Sequence, residues 1–276
     1  MSGIFATATA VHELRRETGP AGEAVVSYAA AVHDGWHIGP NANGGYLMAI
    51  AGRAMAAATG RPPVTLTAHY LRPVGTGPCE VVVTIVRSGR RFATATATMV
   101  MVDGRQEIVR LLGTFGEQQP GGPSYIGQAP VDLPPYEECE VPQGTDGGPK
   151  PVLSERLAMR FFPGDDGFRV GRPTGEALVR GWFALAQDEP IDAFALLLAA
   201  DASPPPLFNT ELPVAWAPTV ELTVHIRGVP APGPLRCSFR SRFIHDGMTD
   251  EDGEIWDSTG ALVAQSRQLA LVPRDA

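Results

Sequence analysis

The sequence predicts an α+β protein in which one antiparallel unit, built around a single central helix, occurs twice in tandem. Internal repetition is the first reason. Thr67-Ala68-His69 is matched by Thr223-Val224-His225, and each His is followed eight residues later by Gly-Pro, at Gly77-Pro78 and Gly233-Pro234. A second landmark keeps the same order: the turns Asp103-Gly104 and Thr259-Gly260 each open a last apolar run, residues 107–115 and 261–272. Third, each half carries one apolar helical segment followed by runs of period two. A repeat this long indicates two domains of one fold and not a solenoid of small units.

The first half opens with a strand over 23–32 and the turn-rich stretch 34–45. Residues 46–58 then read as the clearest helix. Ala, Met, Leu and Ile occupy nearly every face of it and Arg53 is its one charge, the pattern of a helix buried on all sides. Gly60 closes it, and Arg61-Pro62-Pro63 prevents continuation. The period then changes to two, and 64–71, 79–87, 91–102 and 107–115 read as strands joined by short Gly or Asp-Gly turns. Strict alternation puts Ala93, Ala95 and Ala97 on one face and Thr94, Thr96 and Thr98 on the other. A face of alanines lets a helix lie close to the sheet. Strand, buried helix and four antiparallel strands together define a sheet curled around one helix, the hotdog arrangement.

Residues 117–150, rich in Gly, Pro, Gln and acidic side chains, are expected to link a first domain at 1–116 to a second at 151–276. The second half repeats the plan. Strands are expected at 154–162 and 176–186, a helix at 191–201, and a Pro-rich excursion through Ser203-Pro204-Pro205-Pro206. Strands at 219–227, 235–245, 253–257 and 262–272 complete it. The fold expected is a double hotdog.

Composition narrows the function. A chain of 276 residues, 44% apolar and 19% charged, has the make-up of a globular protein with a real core. Its 22 basic against 30 acidic residues, formally −8, lack the basic footprint of a nucleic-acid binder. A phosphorylated small ligand stays open, because a few local arginines can hold one. Cys79, Cys139 and Cys237 are widely spaced with no Cys-x-x-Cys, so neither a disulfide framework nor a zinc site is expected, and a cytoplasmic location is. Met1-Ser2-Gly3-Ile4-Phe5 lacks the basic start of a signal peptide, and no apolar run approaches the roughly 18 residues that span a bilayer. No membrane partner is expected.

Several chemistries lack their motifs. There is no Gly-x-Ser-x-Gly nucleophile elbow, no Gly-x-Gly-x-x-Gly and no P-loop. His33 and His37 have metal-ligand spacing but fall on a Gly-flanked turn without a third ligand nearby, so no metal is expected. Asp201 is the anomaly: it ends the apolar helix Ala193-Phe194-Ala195-Leu196-Leu197-Leu198-Ala199-Ala200 just before the prolines. A carboxylate at a helix C-terminus opposes the macrodipole, and an apolar surrounding also disfavours the charge. Both effects raise its pKa toward the range of a general base; a solvated loop residue or a turn cap is the competing reading. The matching place on the first helix falls near Arg53, which would leave one acidic site per chain.

The motifs Asn43-Gly44-Gly45-Tyr46-Leu47, His69-Tyr70-Leu71-Arg72-Pro73 and Arg87-Ser88-Gly89-Arg90-Arg91-Phe92-Ala93 occur in the first half. In the second come Trp216-Ala217-Pro218-Thr219-Val220-Glu221-Leu222-Thr223-Val224-His225 and Val263-Ala264-Gln265-Ser266-Arg267-Gln268. In these motifs and their order the chain resembles the acyl-CoA thioesterase II (TesB-like) family, the double-hotdog thioesterases, and within it an actinobacterial-type branch. The resemblance implies hydrolysis of acyl-CoA to a carboxylic acid and CoA. It also implies a water held by Asp201, Thr219 and Gln268. Gln265 competes with Gln268, and since the two point to opposite faces of a strand only one can join a site; Gln268 is the choice.

Gly44 and Gly45 are expected to offer backbone N–H groups to the thioester oxygen, with a tight turn feeding the helix as the competing reading. Arg87, Arg90 and Arg91 are either a berth for CoA phosphates or a charged hairpin. An acyl chain would need an apolar slot near Leu47, Met48 or Trp216, but those residues read more readily as plain core. No cofactor is required. A non-catalytic acyl-CoA sensor or scaffold is the alternative; an enoyl-CoA hydratase is further off, because its Asp-x-Asn-Pro-x-His-like stretch is absent. Two hotdogs pair within one chain, so a monomer is feasible, while sheet edges leave room for a homo-oligomer.

Overall fold

The computed structural model describes residues 3–118, 122–142 and 151–273. A short helix α1 (Ile4–Ala8) and strand β1 (His12–Thr18) precede β2 (Ala24–Val32), and β3 (His37–Ile38) with β4 (Asn41–Ala42) forms a separate ribbon. Then come α2 (Gly44–Thr59), β5 (Pro63–Tyr70), β6 (Gly77–Ser88), β7 (Phe92–Met101) and β8 (Glu107–Gly116). The second half holds β9 (Arg160–Phe161), β10 (Leu178–Phe183), α3 (Ala195–Ala199), β11 (Thr219–Ile226), β12 (Leu235–Arg240), β13 (Ile244–His245), β14 (Met248–Trp256) and β15 (Leu262–Leu271).

Outside the ribbon, the strands join one antiparallel sheet in the order β1-β2-β6-β7-β8-β5-β11-β15-β14-β12-β10-β9, with β13 attached to β14. The order reads the same from either end: β2-β6-β7-β8-β5 mirrors β10-β12-β14-β15-β11. This is the double hotdog expected from the sequence. The halves meet where β5 pairs antiparallel with β11, and Thr67 lies directly opposite Thr223. The first landmark of the sequence repeat is therefore the centre of the seam. There the Thr67 and Thr223 hydroxyls are 2.8 Å apart, and the Thr223 hydroxyl donates to Glu221 Oε1 at 2.5 Å.

Local chemistry explains the elements. Asn43 caps α2, its Oδ1 accepting the Tyr46 N–H at 2.9 Å. At the other end Gly60, with φ of 66°, takes the left-handed conformation that closes the helix onto the Ala56 carbonyl. Between them α2 is buried on nearly every face, lying against β2 and β5 to β8. The β7 alanines 93, 95 and 97 are buried and the intervening threonines are half-buried, so the alternation in sequence is the alternation across the sheet.

Three expectations change. Residues 154–162 do not form a long strand: a single 3-10 turn covers Val152–Glu155 and β9 has two residues. The helix expected at 191–201 is regular only over Ala195–Ala199. Its start is set by Asp192, whose Oδ1 takes the N–H groups of Phe194 and Ala195 at 2.9 and 2.8 Å. The strand expected at 235–245 breaks after Arg240 because the N–H groups of Arg242 and Phe243 turn to Asp250 Oδ1, at 3.0 and 2.8 Å. In compensation β14 begins well before residue 253, and this longer strand matters for the site. The stretch 122–142 docks on the second half, with Leu133 and Cys139 packed on Trp182. Trp182 Nε1 donates to the Pro134 carbonyl at 3.0 Å, and the Tyr136 hydroxyl to Ala158 at 2.7 Å. Among the described residues no helix is long and apolar enough to cross a membrane.

The seam hydroxyls make a testable pair. Thr67→Val and Thr223→Val should each lower stability by about 0.5–1.5 kcal/mol in urea melts. The double variant should lose less than the sum, because each single change already breaks the shared bond.

Candidate active site

Helices α2 and α3 pack antiparallel at very short range. A Cβ on Gly45 would lie 2.6 Å from the Leu197 carbonyl oxygen, 2.9 Å from Asp201 Cβ and 3.0 Å from Leu198 Cα. Two turns along α2, Gly52 leaves space for the Leu197 side chain. The approach brings the start of α2 against Asp201, just past the end of α3. Asp201 Oδ2 accepts the Gly45 N–H and the Asn43 Nδ2–H, each at 2.8 Å, and Asn43 Nδ2 also donates to the Asp201 carbonyl at 2.9 Å. Burial raises the Asp201 pKa to about 6. The donors Gly45, Gly44 and Asn43 pull it the other way, without cancelling the desolvation.

Thr219 and Gln268 reach the same place by strand register. On β11, Thr219 pairs with Ala270 and Glu221 with Leu269, two residues against one on β15, a β-bulge. Paired residues share a face, as do Gln268 and Ala270 two positions apart. The bulge therefore turns Thr219 to the side of Gln268; an unbroken ladder would have presented Val220 there. Gln268 is buried, whereas Gln265 is on the other face, its Oε1 accepting from Arg227 Nε at 3.0 Å. Asp201, Thr219 and Gln268 all border a cavity of about 750 Å³, together with Gly44, Tyr70 and Glu251. Its size falls within the range typical of ligand pockets. A second cavity of about 400 Å³ shares Ile38, Ser203, Pro205, Phe208 and Val214 with the first and runs on between Leu153, Leu157, Ala158 and Phe161.

Two groups of the expected site residues lie apart from the cavity or have other partners. Arg87, Arg90 and Arg91 are exposed on the β6–β7 hairpin, at the end of the sheet away from the cavity. Register puts them there: Phe92 lies opposite Gly116 and Phe115 opposite Pro63, while the cavity lies at the Tyr70 end of β5. The hairpin is tied instead to the far end of α2, where Arg61 Nη2 donates to the Gly89 carbonyl at 2.8 Å. The basic residue in the cavity wall is Arg72. Gly44 and Gly45 also differ from expectation, since the Gly45 N–H is already committed to Asp201. The missing side chain of Gly44 makes room for Tyr70, whose ring would lie 2.9 Å from a Cβ there. Leu47 and Trp216 line the cavity, but Met48 is fully buried in the core.

Asn43, Tyr70 and Glu251 are additions that the sequence reading missed as site residues. An Asn directly before Gly-Gly and an apolar helix is a capping signal and could have flagged Asn43. At the opposite end of the helix pair, Arg53 Nη2 meets Asp192 Oδ2 at 2.7 Å and the guanidinium lies over Phe194, 4.5 Å from the ring centroid. That end holds an ion pair in place of a lone carboxylate. His33 is exposed and His37 buried. Among the described residues no group of three or more His, Cys, Asp or Glu is placed to hold a metal ion.

Comparison with known proteins agrees with this architecture. Residues 32–116 match the acyl-CoA thioesterase N-terminal domain and residues 132–272 the acyl-CoA thioesterase C-terminal domain. The chain belongs to this two-domain acyl-CoA thioesterase family. An uncharacterised protein of Mycobacterium tuberculosis is 29% identical, with 99% of each chain covered. A solved structure from Thermobifida fusca, provisionally described as a thioesterase II, superposes with a TM-score of 0.85 at 29% identity, covering 99% of this chain and 98% of that one. The acyl-CoA thioesterase II TesB2 of Mycobacterium marinum shares the fold at a TM-score of 0.72 and 18% identity, covering 99% of both chains.

The tight contact at Gly45 gives a direct test. Gly45→Ala should push α2 from α3 and cost about 1–3 kcal/mol in thermal or urea unfolding, whereas Gly52→Ala, facing only flexible side-chain ends, should cost less.

Proposed function

We propose that this protein hydrolyses acyl-CoA thioesters to a carboxylic acid and free CoA, with Asp201 as the general base. The observation that carries the reading is a buried carboxylate with a pKa of about 6, opening on the same cavity as Thr219 and Gln268. A base of that pKa is mostly ionised at neutral pH yet still takes a proton readily. Asp201 removes a proton from water as the water attacks the thioester carbon. The Thr219 hydroxyl and the Gln268 amide orient the water and meet the charge growing on the thioester oxygen. Collapse of the tetrahedral intermediate breaks the C–S bond, and the proton held by Asp201 returns to the departing sulfur. Asn43 and the Gly45 N–H keep the carboxylate in place throughout. Arg72 supports phosphate recognition at the cavity mouth, and the second, largely apolar cavity accommodates the acyl chain.

The test is thiol release from short-, medium- and long-chain acyl-CoAs. Asp201→Asn should lower kcat by about 10²–10⁴-fold with CoA binding retained; undiminished turnover would overturn Asp201 as the base. Binding without turnover in the wild type would mark a non-catalytic acyl-CoA receptor. The wild-type kcat/KM should fall as pH drops through about 6, the value for Asp201, because protonation removes the base. Ala158→Phe, which fills the second cavity, should lower kcat/KM for long chains roughly tenfold or more while sparing short ones. An equal loss at all lengths would place the acyl chain elsewhere.

A further inference from the structure

The mechanism leaves one acid of the cavity wall, Glu251, unused. Glu251 on β14 lies directly opposite Gln268 on β15, and residues so paired hold their Cβ atoms about 4.5–5.5 Å apart on one face. Both are more than nine-tenths buried, at 8% and 7% exposure, and both border the cavity that contains Asp201. Among the described residues, no cation pairs with Glu251. The nearby Arg242 and Arg267 pair with Asp252 and Asp250, whose positions alternate onto the other face of β14. Gln268 is incomplete as well: its Oε1 is shut off from solvent, and no donor among the described residues reaches it. A buried acceptor left unpaired costs about 1–3 kcal/mol, and an unpaired buried carboxylate costs more. A single proton on Glu251 removes both penalties.

We propose that Glu251 is a positioning residue that works as a neutral carboxylic acid, donating a hydrogen bond to Gln268 Oε1. That bond leaves the Gln268 N–H groups aimed into the cavity, toward Asp201 and its water. The proton remains on Glu251 through the cycle, and no bond is made or broken there. The charges around the group act together. Asp201 faces it from the end of α3, Asp250 and Asp252 flank it on β14, and Arg240 lies opposite Asp252 on β12. Arg267, across on β15, is held by Asp250 and Asp252 on the outer face. Tyr70, on β5, is neutral, its hydroxyl pKa pushed up by burial and by Asp201 and Glu221. Burial, followed by the charges of Asp201, Asp252 and Asp250, holds the Glu251 pKa well above the usual carboxylate range.

The inference rests on the thioesterase reading of the cavity, and two measurements on the full chain test it. In infrared difference spectra at pH 8, wild type minus Glu251→Gln, the carbonyl stretch of a protonated carboxylic acid is expected; carboxylate bands alone would overturn the proposal. In thiol-release kinetics, Glu251→Met, which cannot hold the amide, should lose about a hundredfold in kcat with little change in KM. Glu251→Gln, which keeps a donor, should lose no more than about fivefold. The wild type should also lose kcat at alkaline pH as Glu251 ionises, and Glu251→Gln should lack that limb. Equal losses in the two variants, or a limb that persists in Glu251→Gln, would show mere packing and overturn the proposal. Urea melts of both variants identify any loss that comes from unfolding. A wild type inert on every thioester overturns the proposal together with the thioesterase reading. Failure of the band or of the variant pattern in an active enzyme overturns the proposal alone.

Discussion

The absence of a side chain at Gly45 governs the geometry of the candidate site. It lets the start of a sixteen-residue helix touch the end of a five-residue one, so Asp201 sits between two opposed dipole ends. Its own short helix repels the charge, while the longer partner attracts it through donated N–H groups. Burial then outweighs the attraction, and the carboxylate settles at an intermediate proton affinity. Neither helix alone would do this. A carboxylate fully served by a helix N-terminus would be a poor base, and one left without donors would stay protonated.

The duplication explains why this happens once. Antiparallel packing of α2 and α3 creates two similar junctions, one at each end of the pair. At one, Gly45 and Asn43 receive Asp201. At the other, Arg53 is held by Asp192 and by the ring of Phe194. The second junction has become an ion pair in which both charges are satisfied, and it ties the helices together where the first leaves a group available. The halves thus keep a common sheet plan while their junctions have diverged in charge.

Much of this was legible in the chain and some was not, for identifiable reasons. The repeat showed in Thr67 and Thr223 because the seam constrains both at once, and Asp201 stood out as a charge ending an apolar helix. Glu251 did not stand out. It lies between two other acids in the run Asp250-Glu251-Asp252, and only the pairing of β14 shows that the middle one faces the cavity while its neighbours lie on the opposite face of the strand. The turn of Thr219 toward Gln268 depends on a bulge, a two-against-one pairing that neither strand encodes by itself. Arg87, Arg90 and Arg91 misled because local charge density says nothing about the end of a sheet to which a hairpin is delivered. Their distance from the cavity follows from the order of four strands.

Among the described residues, the main strand path of the sheet ends at β1 and at β9. Such margins invite pairing between molecules. β1 carries Glu13, Arg15, Arg16 and Glu17 on a wholly exposed strand, so a second copy laid against it would have to desolvate charges of both signs. β9 is two residues long, and the Phe161 N–H and carbonyl are already bonded to Glu140, each at 2.8 Å. By fusing its two halves through β5 and β11, the chain turns what would be a pair of open seams into interior structure, and the edges left over are charged or short enough to resist growth into fibres.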